Sequence, residues 1–165
     1  NDQGSEVKEL DGPFGVIGAN FSFRREVFEK VGEFRPDLDR KGSELRAAGE
    51  SEFIQRAVSA GFRSFYAPDA MVRHWVPASR VSSEYLTGVA FGNAYSRVVM
   101  KPVFGPRQVV RAALGHAWLV LLHGVMVPIS RIHGNKTRTV EHQCGRATGL
   151  GGLKGVYARL IGKTL

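Results

Sequence analysis

Cysteine is nearly absent. Cys144 alone, in 165 residues, excludes an internal disulfide and any metal site built on paired thiolates. It fits a reducing compartment. Acid is nearly absent from the second half: residues 85–165 hold 11 Lys/Arg and a single carboxylate, Glu141. Long apolar runs are also scarce. The one long apolar run is the 18 residues 112–129, AALGHAWLVLLHGVMVPI, which hold no Asp, Glu, Lys or Arg. They reach the lower limit of about 17–25 for a membrane span, but two histidines, two glycines and a proline interrupt them. The start of the chain has no basic segment leading into an apolar signal core. It opens on Asn1 rather than Met, and a processed or cut end, with a longer protein around it, is the expectation.

What is present is ordinary for a folded chain. The composition is 43% hydrophobic and 23% charged, which excludes disorder throughout, and the length suffices for one sizeable core. Residues 1–84 carry 12 Lys/Arg against 14 Asp/Glu. A near-neutral half is therefore joined to a strongly basic one, and the net charge of +8 sits in the second. Such asymmetry suits a polyanionic neighbour, either nucleic acid or an anionic membrane face. No familiar nucleic-acid motif appears, so no nucleic acid is expected.

Periodicity predicts the elements. Residues 1–12 read as a polar loop. The apolar stretch 14–23 reads as a buried strand whose glycines allow close approach of a ligand or another backbone. Residues 25–31 form a short helix stopped by Gly32. The polar stretch 33–47 is a loop in which Arg40, Lys41 and Arg46 are solvated or meet phosphate. Residues 50–60 form a helix with Phe53, Ile54, Ala57 and Val58 on one face, stopped by Gly61. Strands are predicted over 62–67 and 70–76, around a Pro68-Asp69 turn. A helix follows over 82–100 and another from Pro106 or Arg107. Residues 131–143 read as a polar loop and 145–165 as an amphipathic surface helix.

The compact run Gly49-Glu50-Ser51-Glu52-Phe53 places two acids at a helix start. Locally this is a favourable interaction with the helix dipole, about 0.3–1 kcal/mol. His74 ends a predicted strand, flanked by Arg73 and Trp75.

Four segments together resemble the C-terminal half of a family 2 glycosyltransferase with a GT-A fold. GANFSFRREVFEKVGEF (18–34) resembles that family's G-x-N-x-x-x-R-R strand and helix. AGESEFIQRAVSAGFR (48–63) resembles its acidic helix start, and FYAPDAMVRHWV (65–76) its Y-x-P-x-A-x-V-x-H strand pair. Phe91-Gly92 and the arginines after it fit the helix that follows. The resemblance covers about residues 13–97. It implies an α/β architecture: the C-terminal, acceptor-side part of a Rossmann-like GT-A domain over 1–100, then a basic, apolar helical tail over 101–165 associated with a membrane.

It further implies inverting transfer from a nucleotide-diphosphate sugar to a polysaccharide or lipid-linked acceptor at the cytoplasmic face of the cell membrane. Glu50 is then the catalytic base and Glu52 the second acid. Gly18, Ala19, Asn20, Arg73 and Trp75 bind substrate, and His74 is a ligand to a divalent cation, Mg or Mn. Two departures stand out. The family's G-E-D-x-E has lost a residue here, or is shifted so that Glu50 stands where the Asp would; in the first case Ser51 or nothing takes that place. The family's metal-binding D-x-D does not precede Gly18, and Asp37-Leu38-Asp39 lies downstream of where it belongs. The cation is thus expected to be held largely by a nucleotide-binding half outside this segment, which alone should be inactive. Two other readings stay open: a membrane-associated scaffold that keeps the fold without the chemistry, and a basic nucleic-acid-binding module.

Overall fold

The computed structural model describes residues 2–11, 16, 18–38, 45, 48–101 and 105–162. In order they form β1 (Lys8–Leu10), α1 (Arg25–Val31), a 3-10 turn (Pro36–Leu38), α2 (Gly49–Ser59), β2 (Ser64–Tyr66), a second 3-10 turn (Ala78–Val81), α3 (Ser83–Val99), α4 (Pro106–Ile132) and α5 (Lys136–Leu160). They fall into two compact units. One comprises Asn1–Asp37 and Gly49–Trp75, the other Leu38–Ala48 and Val76–Leu165.

In the first unit α1 and α2 pack through Val27, Phe53, Ile54 and Ala57, joined by Phe28, Val31, Phe34 and Phe62. Phenylalanines concentrate here. Phe53 lies 4.4 Å from Phe34 and 4.8 Å from Phe23, ring centre to ring centre, within the range where aromatic pairs add to simple burial. Gly32 and Gly61 end the two helices with φ of 79° and 92°, a region costly for any residue with a Cβ. Both stops fall where the sequence places them.

Three expectations for this unit are corrected. Residues 8–10, expected in a loop, form a strand antiparallel to β2, with Glu9 opposite Phe65. KEL carries no alternating pattern; what holds it is pairing, including a two-pronged ion pair from Arg63 to Glu9 at 2.5 and 3.0 Å. Residues 70–76 are not a strand. Alternation supplies faces but not partners, and no strand among the described residues pairs with this stretch; Met71 and Trp75 are exposed. Of 14–23, residues 14, 15 and 17 lie outside the described residues, and 18–23 form a turn at Gly18-Ala19 followed by chain without regular secondary structure. The described residues thus hold one two-stranded sheet amid helices and do not display a Rossmann-like sheet.

The second unit is built around α5, against which both α3 and α4 pack. Glycines make this possible. A Cβ at Gly149 would stand 2.7 Å from the His116 carbonyl of α4, and one at Gly155 3.0 Å from the Tyr95 carbonyl of α3. Gly151 meets the Phe91 backbone, and Gly145 and Gly152 meet the His123 and His116 rings. A second cluster buries Leu38, Ala48, Tyr95, Val99 and Ala158. The loop expected over 131–143 is corrected to a tight hairpin. α4 runs to Ile132, Gly134 turns with φ 66°, and the Asn135 side chain accepts from the Arg138 amide at 3.0 Å to start α5. Polar residues there mark the outer face of a helix rather than a loop.

Candidate active site

Gly18, Ala19, Asn20, Glu50, Glu52, Arg73, His74 and Trp75 all lie in the first unit. Residues 18–20 make an exposed turn before α1. Glu50 and Glu52 occupy the first turn of α2, whose free amides favour negative charge. Fold and sequence then treat the two acids differently.

Glu52 is buried. Its two oxygens accept from Arg56 Nε at 2.9 and 3.0 Å. The same guanidinium donates to the Val31 carbonyl and, at 2.8 Å, to that of Glu33. Arg56 thereby closes the carbonyl end of α1 and ties it to α2.

Glu50 is half-buried and accepts no hydrogen bond from any described residue. Its carboxyl group lies against the Gly18 backbone: a Cβ at Gly18 would stand 2.7 Å from Glu50 Cδ and would overlap Oε1. The fold therefore brings the sequence-predicted Gly18 and Glu50 together, and a side chain at position 18 would displace the Glu50 carboxyl group from where it lies. Asn20 Nδ2 donates to the Ala70 carbonyl at 2.5 Å, which fixes this turn to the chain leaving β2. Arg73, His74 and Trp75 follow on exposed chain, and none makes a hydrogen bond or ion pair with a described residue.

A cavity of 690 Å³ adjoins this turn, with Asn20, Phe21, Phe23, Phe53, Arg63 and Tyr66 in its wall. Glu50 and residues 73–75 are not part of it. Of the predicted residues only Asn20 lines it, and sequence reading missed the aromatic wall and Arg63. The dense phenylalanines of 21–34 were the available signal. Arg63 brings little free charge, since Glu9 neutralises it; that hydrogen bond holds the Glu9 carboxyl below its ordinary value and pushes Arg63 up.

Among the described residues no three His, Cys, Asp or Glu side chains gather as a metal site. His74 is a single exposed imidazole, too few ligands for a divalent cation. The described residues by themselves do not complete a site for the expected metal.

The chain is similar to the glucosyl-dolichyl phosphate glucuronosyltransferase of Haloferax volcanii, 33% identical over 86 residues. The match takes in 52% of this chain and 28% of that protein, so the chain spans well under a third of the relative it matches. No family model matches the chain, and no solved structure does.

Proposed function

We propose that this chain is the acceptor-side, C-terminal part of an inverting glycosyltransferase of the family 2, GT-A type, with Glu50 as its general base. The contrast between two neighbouring carboxylates carries the reading. Both oxygens of the buried Glu52 share the Arg56 Nε–H, whereas Glu50 rests beside the Gly18 turn with its oxygens unclaimed by described residues. A base needs a free lone pair within reach of the proton it takes.

In this reading the acceptor hydroxyl oxygen attacks the anomeric carbon. The new C–O bond forms as the bond to the diphosphate oxygen breaks; the nucleoside diphosphate leaves and Glu50 takes the hydroxyl proton. Residues 18–20 bind the donor sugar, while Arg73 meets phosphate and Trp75 packs on a sugar face. A divalent cation would neutralise the leaving diphosphate; His74 is the one ligand assigned to it, the others belonging to sequence outside these 165 residues. The two-stranded sheet is read as an edge completed by that same sequence. Similarity to an enzyme named for a dolichyl phosphate sugar favours a lipid-linked acceptor over a free polysaccharide; the cytoplasmic membrane face is part of the proposal. One helix, Pro106–Ile132, is long and apolar enough to cross a membrane by length and composition.

The test is Glu50→Gln in the complete enzyme, assayed for sugar transfer beside thermal unfolding. A fall in kcat of about 10²–10⁴-fold with unfolding unchanged is expected, the usual range for loss of a general base. Transfer undiminished in Glu50→Gln would sink the assignment and favour the scaffold reading. The 165-residue chain alone should neither transfer sugar nor hydrolyse a nucleotide sugar.

A further inference from the structure

We propose that α4 lies along, not across, an anionic bilayer, inserting one face lengthwise into the headgroup boundary. This rests on the membrane part of the reading above and specifies the surface and its orientation.

The exposed large side chains of α4 fall at Val110, Leu114, Trp118, Leu121, Val125 and Ile132, from 58% exposed at Val110 to 82% at Ile132. Their spacing of four, four, three, four and seven keeps them on one stripe of a 3.6-residue helix. Leu122 and Ile129 widen it. Residues 112–130 are uncharged, with Arg107 and Arg111 before them and Arg131 after them. An apolar patch of this extent on a monomer marks a place that is covered.

Two cations flanking an apolar helix also describe a span, and α5 decides between them. The glycine contacts at 145, 149 and 152 hold α5 against α4 along its length. The outward positions of α5 carry Glu141, Arg146 and Lys154, the last two in its middle and C-terminal thirds. If α4 crossed the bilayer, α5 would carry these charges with it. Each would cost about 2.5–3.5 kcal/mol near the centre on the insertion scale. Lying flat removes that cost: α4 meets lipid while α5 keeps its charges in water. Basic excess in this half of the chain favours anionic lipid, by about 1 kcal/mol for each Lys or Arg near the surface. Nucleic acid is disfavoured because α4 has no cation from 112 to 130.

Trp118 sits at the midpoint of α4, so depth reads orientation. A span puts it at the bilayer centre; a helix in the interface puts it about 5–10 Å below the boundary. In the Trp75→Phe variant Trp118 is the only tryptophan of this chain. The experiment measures binding to phosphatidylcholine vesicles with and without phosphatidylglycerol, then quenching of Trp118 by lipids brominated near either the headgroup or the methyl end of the acyl chain. Binding that needs phosphatidylglycerol and weakens with salt is expected, with stronger quenching by the shallow bromines. Leu121→Glu and Val125→Glu should each weaken binding at least tenfold, and Val81→Glu, exposed but outside α4, should not. Absence of vesicle binding would overturn the membrane reading itself. Binding with stronger quenching by deep bromines would overturn only the flat orientation. Indifference to phosphatidylglycerol would overturn the anionic partner. If Leu121→Glu dissolved a dimer of this chain and left vesicle binding unchanged, the stripe would be a self-association face and the proposal would fail.

Discussion

Arg56 grips Glu52 through both carboxylate oxygens, at 2.9 and 3.0 Å, and reaches past it to the carbonyls of Val31 and Glu33. One side chain thus joins the start of α2 to the end of α1. Acid four residues before base on a helix is the favourable order, and both side chains are mostly shielded. Glu52→Ala strands the guanidinium and should destabilise the chain by about 2 kcal/mol, within the range for losing a charged hydrogen-bond partner. Arg56→Lys should also destabilise, because an ammonium cannot serve two carbonyls and a carboxylate in a fixed fork. Denaturant unfolding checks both. In the complete enzyme, activity of Glu52→Ala should follow its folded fraction. A full loss of turnover in a fully folded Glu52→Ala protein would move the chemistry from Glu50 to Glu52.

Gly18→Ala probes the other acid. The backbone at Gly18 is not in the left-handed region, so alanine brings no strain of its own. Its Cβ would press on the mobile end of the Glu50 side chain, which can swing away. Stability should change by less than about 0.5 kcal/mol, as for a surface substitution. Sugar transfer by the complete enzyme should fall by up to about 10²-fold, the effect of an ångström-scale displacement of a reacting group. Paired measurement of kcat and unfolding midpoint separates these outcomes; equal losses in both would mean that Gly18 serves the fold alone.

Much of this was legible because it is local. Helix α1 with its Gly32 stop, α2 with Gly61, and α3 from its Ser82 cap, which accepts from the Tyr85 amide at 3.2 Å, all follow from neighbours within a few residues. What failed depends on distant partners. β1 has no pattern of its own and exists through Arg63 and β2, while 70–76 has the pattern and finds no partner strand among the described residues. The α5 start was readable, since Gly134-Asn135 is a stop followed by a cap, but the polar composition around it masked the signal. The candidate site divides in the same way. Two acids at a helix start were visible in sequence; that one would be claimed by Arg56 and the other placed beside Gly18 was not, because both facts are set by packing.

The sheet should respond to acid. The Arg63 hydrogen bond holds the Glu9 carboxyl below its ordinary value. A lowered value in the folded chain means stability that is present above the unfolded value and is lost as pH falls through the folded one. Pairing of β1 with β2 should therefore weaken below the ordinary glutamate range. Both side chains are largely solvent-exposed, so the effect should be small and further reduced by salt. Amide exchange at whichever of Phe65 and Tyr66 donates to β1 should quicken between neutral pH and pH about 3, after correction for the intrinsic pH dependence of exchange. In Glu9→Gln that corrected difference should vanish. A persisting difference would assign the acid response to another group.

Two glycine-to-alanine changes should act with opposite signs. In an open helix position alanine is better than glycine by about 0.8–1 kcal/mol. Gly124, inside α4, is such a position: nothing lies within 4 Å of where its Cβ would be. Gly124→Ala should stabilise the chain by about that amount. Gly149, inside α5, is not. Its Cβ would meet the His116 carbonyl at 2.7 Å and the Val120 amide nitrogen at 2.9 Å. Both are backbone atoms of α4, and neither can turn aside as a side chain would. The two helices must separate, and overpacking of this kind costs about 1–3 kcal/mol, enough to outweigh the propensity gain. Gly149→Ala should therefore lower the unfolding midpoint while Gly124→Ala raises it, with helical circular dichroism before melting alike in both. If both variants were stabilised, the close approach of α4 and α5 would be wrong, and with it the argument that α5 keeps α4 from crossing the bilayer.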